Sequence, residues 1–143
     1  MLDMRRSTRR RATAAAVLAV LAALAGCGLD VVEPDLFAVT RTGEGKTLTM
    51  LVNYGGTITC DGHAAKTLPD RLLLVARALT GQLAPDAAKK LDVPSTPHSV
   101  YRFTIRLQAG TIAFPDTSAA HRPELAQFLQ FALAAEQVCG TGG

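Results

Sequence analysis

The chain has no tryptophan and few aromatics of any kind, two tyrosines and five phenylalanines among 143 residues, so the sequence predicts a mainly aliphatic core. No apolar run reaches the roughly 20 residues that a helix needs to cross a bilayer. The longest, Ala12 to Ala23 with Leu24 and Ala25 beyond it, is about 14 residues. There is no second apolar span, internal repeat or low-complexity tract. Catalytic signatures are missing too. Without G-x-S-x-G there is no nucleophile elbow to present Ser95, Ser99 or Ser118. Cys60-Asp61-Gly62-His63 offers a C-x-x-H pair, and His98 and His121 are available, but the second closely spaced pair expected of a zinc site is absent. Gly43-Glu44-Gly45-Lys46-Thr47 ends like a P-loop but lacks the G-x-x-x-x-G-K-[ST] spacing, and alternating residues follow it, so it reads as a tight hairpin.

What is present begins at the N-terminus. Arg5, Arg6, Arg9, Arg10 and Arg11 precede the apolar run, and small residues lead into a cysteine at Leu24-Ala25-Gly26-Cys27. A positive region, a short apolar region and a small-residue site in that order read as a secretory signal rather than as structure. The four closing residues resemble the lipobox of bacterial lipoprotein precursors. That resemblance covers residues 1–27 and implies cleavage between Gly26 and Cys27, with a diacylglyceryl group on Cys27. Two acyl chains anchor a protein stably where one does so only marginally.

Removing residues 1–26 changes the charge argument. The net charge of +3 includes five arginines and one aspartate in that segment; the remaining 117 residues hold ten basic and eleven acidic residues, a net of −1. The basicity belongs to the leader, and nucleic acid is not an expected partner. A length of 117 residues suits one domain. The expected organisation is a signal peptide (1–26), a short tether (27–35), a single domain (36–139) and a frayed tail (140–143). From Gly28 to Asp35 an extended chain reaches roughly 26 Å, so the domain should sit close to the membrane.

Within the domain the apolar period starts at 2. Leu36 to Arg41 carries Phe37 and Val39 on one side. Thr47 to Tyr54 places Leu48, Met50, Val52 and Tyr54 on one face, and after Gly55-Gly56 the run Thr57 to Cys60 returns with Ile58 and Cys60 inward. The period then becomes helical: Leu68, Leu72, Val75, Ala76, Leu79 and Leu83 recur, with Thr67 as a candidate cap and Pro69 in the first turn. Gly81 weakens the end of this helix, and Pro85 to Leu91 forms a separate short turn. Val93 to Ser99, with Pro94 and Pro97, is a loop. Tyr101 to Gln108 and Thr111 to Phe114 form a second hairpin. Pro123 starts a last helix with Leu125, Phe128, Leu129, Ala132, Ala135 and Cys139 on one stripe, ended by Gly140. The order βββ-α-ββ-α predicts an α+β two-layer sandwich, an antiparallel sheet of about five strands with both helices on one face.

With Cys27 lipidated, Cys60 and Cys139 remain, an even pair in an oxidising compartment. Strand period puts Cys60 inward and helix period puts Cys139 inward, so a Cys60–Cys139 disulfide is expected. That pairing leaves no free cysteine for catalysis or metal binding.

The outer sheet face collects Arg102, Thr104, Arg106, Thr47, Thr49, Asn53, Thr57 and Thr59, with Leu36 and Leu51 adding apolar contact. Two arginines amid hydroxyls suit an anionic ligand or a partner's carboxylates. The strand-rich order with a disulfide is also loosely similar to secreted protease inhibitors of the subtilisin-inhibitor kind, which carry two disulfides, one supporting the reactive loop; Val93 to Ser99 has no cysteine to brace it. The expectation is a non-enzymatic, cofactor-free lipoprotein, tethered by Cys27 outside the cytoplasm of a bacterium. Its domain binds an envelope component, a protein or small anionic ligand, at the face of Arg102, Thr104, Arg106, Thr49 and Asn53. An inhibitor-like module is the alternative, and a small hydrolase the third.

Overall fold

The computed structural model describes residues 35–140. The signal region, Gly26, Cys27 and most of the tether lie outside the described residues, as do residues 141–143. Six strands and two helices build the α+β fold, in the order β1 (Asp35–Gly43), β2 (Lys46–Asn53), β3 (Thr57–Cys60), β4 (Lys66–Thr67), α1 (Asp70–Ala88), β5 (Arg102–Leu107), β6 (Gly110–Pro115) and α2 (Pro123–Cys139). The sheet is antiparallel throughout, with spatial order β4-β3-β2-β1-β5-β6.

Alternation decides the layers. Phe37, Val39, Leu48, Met50, Val52, Ile58, Phe103, Ile105, Ile112 and Phe114 are buried on one face, against Ala76, Leu79, Leu83 and Ala87 of α1 and Leu125, Phe128, Phe131, Ala132 and Ala135 of α2. Aliphatic side chains form most of this core, but all five phenylalanines also gather there. Phe128 lies at their centre, with ring centroids of Phe37, Phe103, Phe114 and Phe131 at 6.0, 6.3, 6.0 and 6.3 Å, mostly edge to face. Scarcity of aromatics in the sequence therefore does not mean their absence from the core.

Four local expectations are corrected. The additional strand, β4, arises because Thr67 pairs with Thr57 and so does not cap α1; Pro69 occupies the N-cap position instead. α1 is continuous through Gly81 and Pro85 to Ala88, although Pro85 removes one intrahelical donor from its last turn. A register shift between Asp35 and Phe37 interrupts the alternation, and Leu36 is buried rather than on the outer face. Tyr54 lies beyond the end of β2 and is exposed, its ring under the Arg77 guanidinium at 4.5 Å.

The β1–β2 turn is a two-residue hairpin in which Glu44 and Gly45 both have positive φ, 52° and 71°. That settles the Gly-Lys-Thr segment as a turn entering a strand. Cys60 and Cys139 form the disulfide, with Cα atoms 5.8 Å apart across 79 residues of sequence. Closing a loop of that length restricts the unfolded chain by roughly 4–5 kcal/mol in the chain-entropy account. The same junction is tied again by Lys66, whose Nζ donates to the carbonyls of Val138 and Cys139, the orphan acceptors at the end of α2.

Candidate functional site

The outer face of the sheet reads in rows. Thr49, Thr40, Thr104 and Ala113 are successive cross-strand neighbours in a middle row, as are Thr59, Leu51, Ala38, Arg106 and Thr111 in the row on one side and Thr47, Thr42, Arg102 and Pro115 in the row on the other. Both helices pack on the opposite face. Thr49, Leu51 and Arg106 are exposed, and Ala38, Thr40 and Thr104 are half-buried by their neighbours in the sheet. The sheet therefore brings together Thr49, Thr104 and Arg106, three of the five residues expected to form a binding face.

The other two have structural work. Arg102 donates through Nη1 to the Val93 carbonyl and the Ser95 hydroxyl, and pairs through Nη2 with Asp92. These contacts hold a segment that lies along the outer edge of β6, where Val93 N–H and Ala113 N–H exchange bonds with the carbonyls of Ala113 and Leu91. Arg102 thus helps cover a sheet edge, which left open would invite pairing with another chain. Asn53 sits at the end of β2 and accepts from Gly55 N–H through Oδ1, closing the β2–β3 turn. Thr49 is also engaged: its N–H and hydroxyl both reach the Asp61 carboxylate, at 2.7 and 3.2 Å. Arg106 makes no hydrogen bond or ion pair within the described residues, so its guanidinium is free to receive an external carboxylate or phosphate.

A polar chain that the sequence reading missed runs along the opposite end of the sheet. Arg41 continues the inward alternation of Phe37 and Val39, so its side chain enters the layer beneath α2, where Nη1 meets Glu136 Oε2 at 2.7 Å. Its guanidinium also lies 4.8 Å from the ring centroid of Tyr101, whose hydroxyl donates to Glu44 at 2.7 Å. Burial pushes the Glu136 carboxyl above the usual carboxylate range, against the pull of Arg41. The hydrogen bond to Glu44 raises the Tyr101 hydroxyl above its ordinary value. The signal was in the periodicity: Arg41 shares the parity of Phe37 and Val39, and Glu136 falls four residues after Ala132 on the apolar stripe.

The remaining candidates do not converge. Among the described residues no group of three His, Cys, Asp or Glu side chains is placed to hold a metal ion. His63 turns its Nδ1 to the Cys60 carbonyl at 3.0 Å, while His98 and His121 are exposed. The Val93–Ser99 loop is braced by hydroxyls: Ser99 Oγ accepts from Thr96 N–H and lies 3.1 Å from the Thr117 hydroxyl, and the Asp116 carboxylate accepts from Val100 and Tyr101 N–H. No family model matches the chain, and neither a curated protein nor a solved structure does.

Proposed function

We propose that the protein is a bacterial envelope lipoprotein, held outside the cytoplasm by lipid on Cys27, whose disulfide-bonded domain binds another envelope component through the outer face of its sheet. The observation that carries this reading is Arg106: an exposed arginine without a partner among the described residues, flanked by Ala38 and Thr111 and two strands from Leu51. A cation beside a shallow apolar and hydroxyl surface suits a carboxylate-bearing protein segment or a small anion. The anchor reading draws its support from Leu24-Ala25-Gly26-Cys27, and the Cys60–Cys139 disulfide accords with an oxidising compartment. We assign the domain no catalytic role.

Affinity capture with the lipidated protein from solubilised envelope, compared with an Arg106→Ala variant, tests the binding face. The reading expects a bound component that the variant retains several-fold less well; equal retention sinks it. For the anchor, Cys27→Ala should accumulate at precursor size, and mature-size protein in the membrane fraction would refute lipidation there. The hydroxyl-braced loop around Pro94 and Pro97 favours a second reading, an inhibitor-like module, which predicts loss of subtilisin-type protease activity on equimolar addition.

A further inference from the structure

α1 runs across one end of the sheet. Its start lies against the β2–β3 turn, where Leu73 packs on Gly56 and Arg77 Nη2 donates to the Tyr54 carbonyl, and its end lies against the β5–β6 turn, where the Ala87 carbonyl meets Gly110. Both turns belong to the same end of the sheet as Asp35, which pairs with Asn53. Seven residues, 28 to 34, separate Cys27 from Asp35, eight steps of chain that span roughly 29 Å at most.

The side of α1 turned away from the core is unusual for a solvated helix. Leu74, Ala78, Gly81 and Pro85 recur at i, i+4, i+7 and i+11, and all four are exposed, Leu74 at 65 %. A Cβ built on Gly81 would meet nothing within 4 Å. Arg71 and Arg77 flank this low stripe on either side, and Lys89 and Lys90 follow the helix. The acidic residues of the segment are Asp70, in the first turn, and Asp86, which is bound to Arg122 at 3.1 Å.

We infer that this face of α1 lies on the anionic bilayer leaflet that holds the lipid of Cys27. The inference rests on the anchor reading and adds an orientation to it. A flat surface accepts a helix whose central stripe is low, with one leucine to enter the headgroup layer, Arg71 at one flank to reach lipid phosphates, and Arg77 at the other adding positive charge from its place on Tyr54. The short tether delivers this end of the domain to the membrane first, which raises its effective concentration there so that weak contacts suffice. The opposite end, with Glu44, Tyr101 and the Arg41–Glu136 pair, then points away from the bilayer.

Because the chain contains no tryptophan, one can be introduced as a unique reporter. Leu74→Trp and, on the outer face of α2, Leu133→Trp are made in the full chain, purified from membranes, weighed to confirm diacylglyceryl on Cys27, and reconstituted in phosphatidylglycerol-rich vesicles containing brominated lipid. The expected result is quenching at position 74 at least about twofold greater than at position 133, lost when Arg71→Gln and Arg77→Gln are added or when the vesicles are phosphatidylcholine. Lipidated protein with equal quenching at both positions, or none at 74, overturns the orientation and leaves the anchor standing. A reporter at 74 shielded from water but not quenched by brominated lipid means a protein covers the stripe, which also overturns it. Protein lacking lipid on Cys27 overturns both.

Discussion

The two faces of this sheet are made by the same strands, residue against alternate residue, yet they treat arginine in opposite ways. On the inner face Arg41 is folded under α2 and given a carboxylate, Glu136, itself 4 % exposed. On the outer face Arg102 fastens a peripheral segment, and Arg106 is left to solvent. Water supplies a partner to any charge that it reaches, so it is the half-buried arginine against a buried carboxylate that obliges the fold to provide one. A charge on the covered face is thus part of the architecture, while one on the open face can either fasten a neighbouring segment, as Arg102 does, or be left available, as Arg106 is.

Substitutions on each face test that contrast. The largest loss should follow Phe128→Ala, which empties the centre of the aromatic cluster; a destabilisation of about 4 kcal/mol is expected in denaturant unfolding. Replacing both disulfide partners, Cys60→Ala with Cys139→Ala, should lower stability by about 3 kcal/mol, since residual structure in the unfolded chain trims the loop-entropy figure. Reducing agent should lower the wild type and leave the double variant unmoved.

The buried pair makes a pH signature. The Glu136 carboxyl titrates higher in the folded than in the unfolded chain, so its contribution is fully present below the ordinary glutamate range and is lost as pH rises through the folded value. Glu136→Gln has no such dependence. The stability of wild type relative to this variant should therefore decline as pH rises above the ordinary glutamate range, as read from urea midpoints; a constant difference would show that Arg41 cancels the burial. The smallest effects belong outside. Arg102→Ala should cost about 1 kcal/mol by releasing the edge segment, whereas Arg106→Ala should stay within about 0.5 kcal/mol of wild type. A substantial loss at Arg106 would mean that the outer face is tied into the fold no less firmly than the inner one.

The layers were legible in the sequence because period alone specifies them: Leu48, Met50 and Val52, or Phe103 and Ile105, have one buried arrangement that keeps the intervening polar residues wet. The disulfide followed from the intersection of a strand period and a helix period. Leu36 was misplaced because a bulge breaks alternation without leaving a mark in composition. β4 was invisible because a two-residue strand has no period. Thr67 looks like a cap locally, and only the presence of Thr57 on the adjacent strand draws it into the sheet. The candidate outer face was half legible. Sequence can place Arg102 and Arg106 on one surface but cannot say which will be claimed by Asp92, ten residues away through a loop.

The place of β1 has a mechanical side. The first strand of the described residues lies third from one edge of the six and fourth from the other, hydrogen-bonded along both flanks by antiparallel neighbours. Tension arriving through Asp35 acts along the strand and loads both ladders in shear, so their bonds resist together instead of peeling in turn from a free edge. A pull on this strand therefore meets two ladders at once, unlike a pull on β4 or β6 at the edges of the sheet.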